Sequence, residues 1–235
     1  MANACSSNRN TRWNPAWWMA LLVLAALGAM APRASQANEV CGEANAAGIK
    51  QCRTGLDAAQ IAHMRASQEK SQWCWAASIA MVFSHHGFVV AQEDIVRQQY
   101  SDAADKPLHE TQVAPVVERA WQDRGGRSFF ASITAGNARA RRFLFGDDTV
   151  IREMQAQRPL IVGALGHAMV LVQVHYERFT AQDAVRITGG VVIDPAPGQG
   201  VRNLTRLELN PAYVAAVQVA GPQQIAAADT GTTAR

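Results

Sequence analysis

The chain has 235 residues, 49% hydrophobic and 17% charged, enough for one well-buried domain or a small two-lobed one and too few for two large ones. Arg9, Arg12 and Arg33 account for the whole formal charge of +3, since without them 19 Lys and Arg stand against 19 Asp and Glu. Nothing in the charge of a near-neutral body calls for nucleic acid or an acidic membrane, and neither is expected as a partner.

Arg9 and Arg12 precede an apolar run from Trp17 to Ala31, and Ser35-Gln36-Ala37 follows. This is the layout of a secretory signal peptide, so residues 1–37 are expected to be removed and the mature protein to be periplasmic or secreted. The apolar run is shorter than the roughly 20 residues that cross a bilayer, and no stable membrane insertion is expected after cleavage. Cys5 leaves with that segment. Cys41 and Cys52 then close a short loop and read, in an exported protein, as a disulfide tying an N-terminal arm over residues 38–66.

The main domain is expected over residues 67–220. Trp75, Ala76, Ile79, Ala80, Met81, Val82 and Phe83 crowd most faces of a helix from Trp73 to His85 that Gly87 ends, which makes it a buried central helix. His85 and His86 are expected to place imidazolium against its negative end. A second helix is predicted over Gln92–Tyr100 and a third over Thr111–Trp121, where Pro115 lies in a tolerated first-turn position. From Gln122 to Gly146 the pattern dissolves into Gly125-Gly126, Gly136-Asn137 and the basic run Arg139–Arg142, and a connecting region is expected. Asp147–Gln157 reads as a helix stopped by Arg158-Pro159.

Strands are predicted over Leu160–Ala164, Ala168–Tyr176, Ala184–Thr188, Val191–Ile193 and Leu204–Leu209, and residues 221–235 are expected to be a disordered tail. Helices first and antiparallel sheet second give an α+β fold with a cleft between the two halves.

Cys74 is the thiol left without a partner, at the start of the central helix. First-turn N–H groups and the helix dipole favour a thiolate there, which makes Cys74 a candidate nucleophile. His167 follows Gly166 at a strand start and is the best placed base, with Gly166 allowing a close approach to the cleft. Asp194 is delivered by the next strand to a turn, where it can orient the imidazole. Gln68 lies close enough before Cys74 to reach a developing oxyanion, with Gln72 competing for that role. Trp73 flanks the thiol and is a candidate cleft wall. His85 and His86 lie roughly 16 Å of helix away from Cys74. No metal site and no cofactor are therefore expected.

Gln68 through Trp73-Cys74-Trp75-Ala76-Ala77-Ser78, Gly166-His167-Ala168-Met169-Val170 and Val192-Ile193-Asp194-Pro195 together resemble bacterial papain-like cysteine peptidases. The branch is the one that includes the plant-pathogen effector AvrRpt2, with staphopains more distant. The resemblance spans about Gln68 to Leu209. It implies a helical lobe carrying the nucleophile helix against an antiparallel β lobe, with Cys74 as nucleophile, His167 as base, Asp194 as its orienter and Gln68 in the oxyanion hole. It also implies a peptide or protein substrate, endopeptidase activity through an acyl-enzyme, and a monomer. The Cys-Gly-Ser-Cys-Trp form of plant papains is missing and aspartate stands where they carry asparagine, so their substrate pockets do not transfer. The same thiol chemistry would also serve an acyltransferase or deamidase, and the same fold a catalytically inactive peptide-binding module.

Overall fold

The computed structural model describes residues 39–137 and 146–221. The expected signal segment, the Arg139–Arg142 run and the tail beyond Gly221 lie outside them. In chain order the elements are strands β1 (Val40–Cys41) and β2 (Ile49–Gly55), then helices α1 (Ala58–Met64), α2 (Cys74–His85) and α3 (Gln92–Tyr100). A 3-10 turn at Glu110–Gln112, helix α4 (Val113–Val117), strands β3 (Arg119–Gln122) and β4 (Ser128–Asn137) and helix α5 (Asp147–Gln155) come next. Five strands complete the order: β5 (Leu160–Ala164), β6 (His167–Phe179), β7 (Ala184–Asp194), β8 (Gly200–Asn203) and β9 (Tyr213–Ala220).

The architecture is α+β, with every strand pairing antiparallel in the order β1-β2-β6-β5-β9-β4-β3 and with β7 on the other edge of β6, followed by β8. Period-two alternation along β5 and β6 feeds two cores. Ile161, Val170 and Val172 pack with Ile79, Val82 and Phe83 of α2. Leu160, Val162, Met169 and Leu171 turn to the opposite face and pack with Val150, Ile151 and Met154 of α5. Burial on both faces is why these strands read as unbroken apolar runs. Each such side chain contributes about 1.5–3 kcal/mol, so the middle of β6, from which the candidate site is hung, is held from both faces.

Several elements differ from expectation. The N-terminal arm is built into the sheet: β2 pairs with the C-terminal half of β6, and Cys41 lies opposite Cys52, to which it is disulfide-bonded. At the end of β2, a Cβ on Gly55 would come within 2.3 Å of the Val172 carbonyl oxygen at a φ of +152°, so the close approach of the two strands requires glycine.

The helix expected over Thr111–Trp121 stops at Val117. Trp121 joins β3 instead, stacking edge-on against Phe83 at 5.1 Å and donating its indole N–H to the Val117 carbonyl. The connecting region predicted after Gln122 is largely a hairpin, because the Asp123 carboxylate accepts from Gly125 N and Arg127 N and closes a turn between β3 and β4. The two strands predicted at Ala184–Thr188 and Val191–Ile193 are one irregular strand, β7.

Leu204–Leu209 is turn rather than strand, and the strand lies just before it in β8. Glu208 drives that difference by facing inward to Arg202. The imidazolium expected at the end of α2 is also overturned: burial, then repulsion from His85, pushes His86 down to about 4, and burial lowers His85 as well. Both rings are neutral at pH 7.

Candidate active site

Two chain segments meet at the head of α2. Gln68 N donates to the Pro195 carbonyl at 2.8 Å, which ties the approach to the helix to the turn after β7. On the other side Ser71 Oγ and Gln72 N both donate to the Asp105 carboxylate at 2.8 Å. The indole nitrogens of Trp73 and Trp75 donate to Ala104 O and Lys106 O, so the segment through Pro107 and Leu108 is held against the helix start. Cys74 is the first residue of α2 and is half-buried.

His167 is presented by the tight hairpin between β5 and β6. Ala164 pairs with His167, and the two residues between them, Leu165 and Gly166, have φ values of +55° and +78°. That is a two-residue turn of the type whose twist matches antiparallel strands and which needs positive φ twice. Gly166 therefore serves the turn. Leu165 accepts the left-handed conformation while 71% exposed, a strained placement of the kind that collects at functional positions.

Asp194, the last residue of β7, is 4% exposed and accepts from His167 Nε2 at 2.6 Å and from Ala196 N at 2.9 Å. This occupies Nε2 and leaves Nδ1 as the ring nitrogen for the Cys74 sulfur, which lines the same cavity as the ring. Burial works against a Cys74 thiolate, but hydrogen bonds from His167, Ala168 N–H and Trp75 N–H outweigh it and bring the thiol below its ordinary value. His167 is raised to about 9, by its bond to Cys74 first and by Asp194 next, against the opposing effect of burial. Both shifts run in the sense of a thiolate–imidazolium pair, with protonation belonging to the pair rather than to either residue.

Arg202 was not singled out from sequence, yet it holds the far oxygen of Asp194. Its Nε lies 2.9 Å and its Nη2 2.8 Å from Oδ2. Glu208 in turn holds Arg202, and both residues are largely buried. Burial would raise Asp194, but Ala196 N–H, His167 and Arg202 together take it below its ordinary value. Glu208 falls to about 2, through its bond to Arg202 first. The alternating charges run from the thiolate through His167, Asp194 and Arg202 to Glu208. The sequence held no local signal for this: an arginine in a short strand and a glutamate in a turn read as surface.

Gln68 is placed otherwise than its expected oxyanion role requires. Its amide nitrogen donates to Lys70 O at 2.9 Å and Ser71 O at 2.8 Å, so both hydrogens brace the loop before Cys74. Gln72 lines the cavity at the thiol. Trp73 is 1% exposed and lies in the core; Trp75 lines the cavity in its stead. Among the described residues the one cluster with metal-ligand spacing is Glu39, Cys41 and Cys52, and its two sulfurs are joined to each other.

No family model matches this chain, and no curated protein matches it. Among solved structures it is similar to the peptidase domain of Streptococcus ComA, a bi-functional ABC transporter involved in a quorum-sensing pathway, at 15% identity and a TM-score of 0.41 over 68% of this chain and 98% of that one. It is also similar to a double glycine motif protease from an AMS/PCAT transporter in complex with the leader peptide, at 16% identity and a TM-score of 0.37 over 67% and 94%. Both scores lie below 0.5, and the reading of the site rests on its own geometry.

Proposed function

We propose that the chain is an exported thiol endopeptidase of the papain-like type, in the AvrRpt2-like branch its motifs resemble. The carrying observation is the convergence of Cys74, His167 and Asp194, with the sulfur at a helix N-terminus, the imidazole beside it on the same cavity, and the ring anchored on its far nitrogen by the carboxylate. The Cys41–Cys52 disulfide supports export to an oxidising compartment.

In the proposed reaction the Cys74 thiolate attacks the carbonyl carbon of a peptide bond, and negative charge develops on the carbonyl oxygen beside the positive end of α2. His167 gives its proton to the departing amine, leaving an acyl-enzyme thioester. It then takes a proton from water, which attacks the thioester and returns the thiolate. Asp194 keeps the ring in register throughout and stabilises its charged form, a role that needs no proton transfer to the carboxylate.

Labelling by an epoxide or vinyl-sulfone probe under reducing conditions, with mapping of the modified peptide, tests the nucleophile. Label is expected on Cys74, and cleavage of an unfolded protein is expected to vanish in Cys74→Ala. Unchanged turnover in that variant would end the reading. New chain termini in the products separate hydrolysis from acyl transfer or deamidation.

A further inference from the structure

Beside the Cys74 sulfur opens a cavity of about 90 Å³. Trp75, Pro107, Leu108 and Ala212 give it apolar walls. Gly163 lies under it without a side chain, and the reason is Tyr213: a Cβ on Gly163 would come within 2.0 Å of the tyrosine ring. Tyr213 is 8% exposed, lines the cavity, and has no hydrogen-bond partner for its hydroxyl among the described residues. Glu110, on the 3-10 turn after Leu108, also lines the cavity, and its carboxylate likewise makes no hydrogen bond or ion pair there. Burial raises the Tyr213 phenol, and the charges of Cys74 and Glu110 add to it; all three residues line the one cavity.

The Tyr213 hydroxyl and the Glu110 carboxylate line the cavity with hydrogen-bonding capacity that no described residue takes up, and so remain open to a ligand. Among the described residues, Glu110 is the one carboxylate of the lining. A positive, hydrogen-bond-donating head on an apolar stem fits this lining, in which Trp75, Pro107, Leu108 and Ala212 accompany Glu110 and Tyr213.

Resting on the peptidase reading above, we propose that this cavity is the subsite for a lysine or arginine side chain of the substrate, with the Glu110 carboxylate as its counter-ion and the Tyr213 hydroxyl as a second acceptor. The methylene stem packs along Trp75, Pro107 and Leu108, and the cationic head meets Glu110.

The test is a positional-scanning fluorogenic peptide library that varies each residue on both sides of the scissile bond, read with the wild-type chain, Glu110→Gln and Glu110→Lys. Wild type is expected to favour Lys or Arg over Leu at one position by at least about tenfold in kcat/KM, the size of one charge-paired contact. Glu110→Gln is expected to lose most of that preference, and Glu110→Lys to turn it toward Asp or Glu, a gain that misfolding cannot produce. Cleavage with no basic preference, or a preference unmoved by both substitutions, overturns the subsite and leaves the peptidase reading standing. No cleavage of any peptide together with an unreactive Cys74 removes both.

Discussion

The Arg202 guanidinium closes on the Glu208 carboxylate in a two-point fork, Nη1 to Oε2 at 2.9 Å and Nη2 to Oε1 at 2.7 Å. The fork matters because Arg202 Nε donates to Asp194 Oδ2 and Nη2 lies between the two carboxylates, so the guanidinium holds Asp194 from behind. Arg202 and Glu208 touch no reacting atom and are positioning residues for His167.

Arg202→Met leaves Glu208 buried without its cation and Asp194 with His167 alone, a change of the kind that costs about 3–5 kcal/mol. Its melting temperature is expected to fall, and kcat at a temperature where the variant is folded to drop about tenfold or more, because a loosened Asp194 no longer fixes the imidazole. KM is expected to stay close to wild type. Glu208→Gln keeps Arg202 on Asp194 and is expected to lose less of both. A folded Arg202→Met with undiminished kcat would show that Asp194 holds its place without help.

The rate profile follows from the coupled pair. Cys74 titrates below an ordinary thiol and His167 at about 9, so the thiolate–imidazolium form exists between the two steps. A bell-shaped kcat/KM is expected, with its alkaline limb near pH 9 and its acid limb below the usual thiol range. Thiol alkylation by iodoacetamide should follow the same acid limb. An activity that rises only above pH 8, as for an unassisted thiol, would contradict the pairing.

The sequence was most informative where a single local rule decided the outcome. The all-round apolar stretch after Trp73 is α2, and Gln92–Tyr100 is α3 from end to end. Cys74, His167 and Asp194 could be named because each sits at an element boundary that alternation or helix periodicity marks. What stayed illegible depends on partners far along the chain. Trp121 leaves its helical pattern for Phe83 and Phe129, and β9 lies between β5 and β4 although its own residues are mostly small. Glu208 turns inward only because Arg202 is there. The Gln68 amide, fitted to the oxyanion by spacing, is drawn to two carbonyls that only the folded loop brings near it.

Gly163 is the place where the cavity and the fold are most tightly joined. Its missing side chain is filled by the Tyr213 ring, and any added carbon lands inside that ring. Gly163→Ala is expected to destabilise the protein by about 1–3 kcal/mol through overpacking and to displace Tyr213 into the cavity. Peptide turnover should then fall further than the melting temperature alone explains, chiefly through KM. A variant with wild-type stability and wild-type KM would mean that the ring moves aside at no cost and is no wall of the binding site.

His86 ties stability to pH in a direction set by burial. Its ring follows the last residue of α2, 5.2 Å from His85 between centroids, with Arg158 also close enough to repel a proton and the Val217 backbone the one group that favours it. The folded protein binds that proton at about 4, the unfolded chain near 6.5. Between those values the unfolded state carries more protons, so stability rises with pH and is lost on acidification from 6.5 toward 4, at most about 3.5 kcal/mol for this group. Nothing is lost above 6.5. Glu208, held at about 2 against an ordinary 4.5, adds stability that is complete above 4.5 and disappears as pH falls to 2. Thermal melts should therefore show a first decline between pH 6.5 and 4 and a second below 4.5. His86→Asn keeps an amide N–H toward the Val217 backbone and cannot titrate, so it should flatten the first decline and leave the second. An unchanged first decline in that variant would assign the loss to other groups.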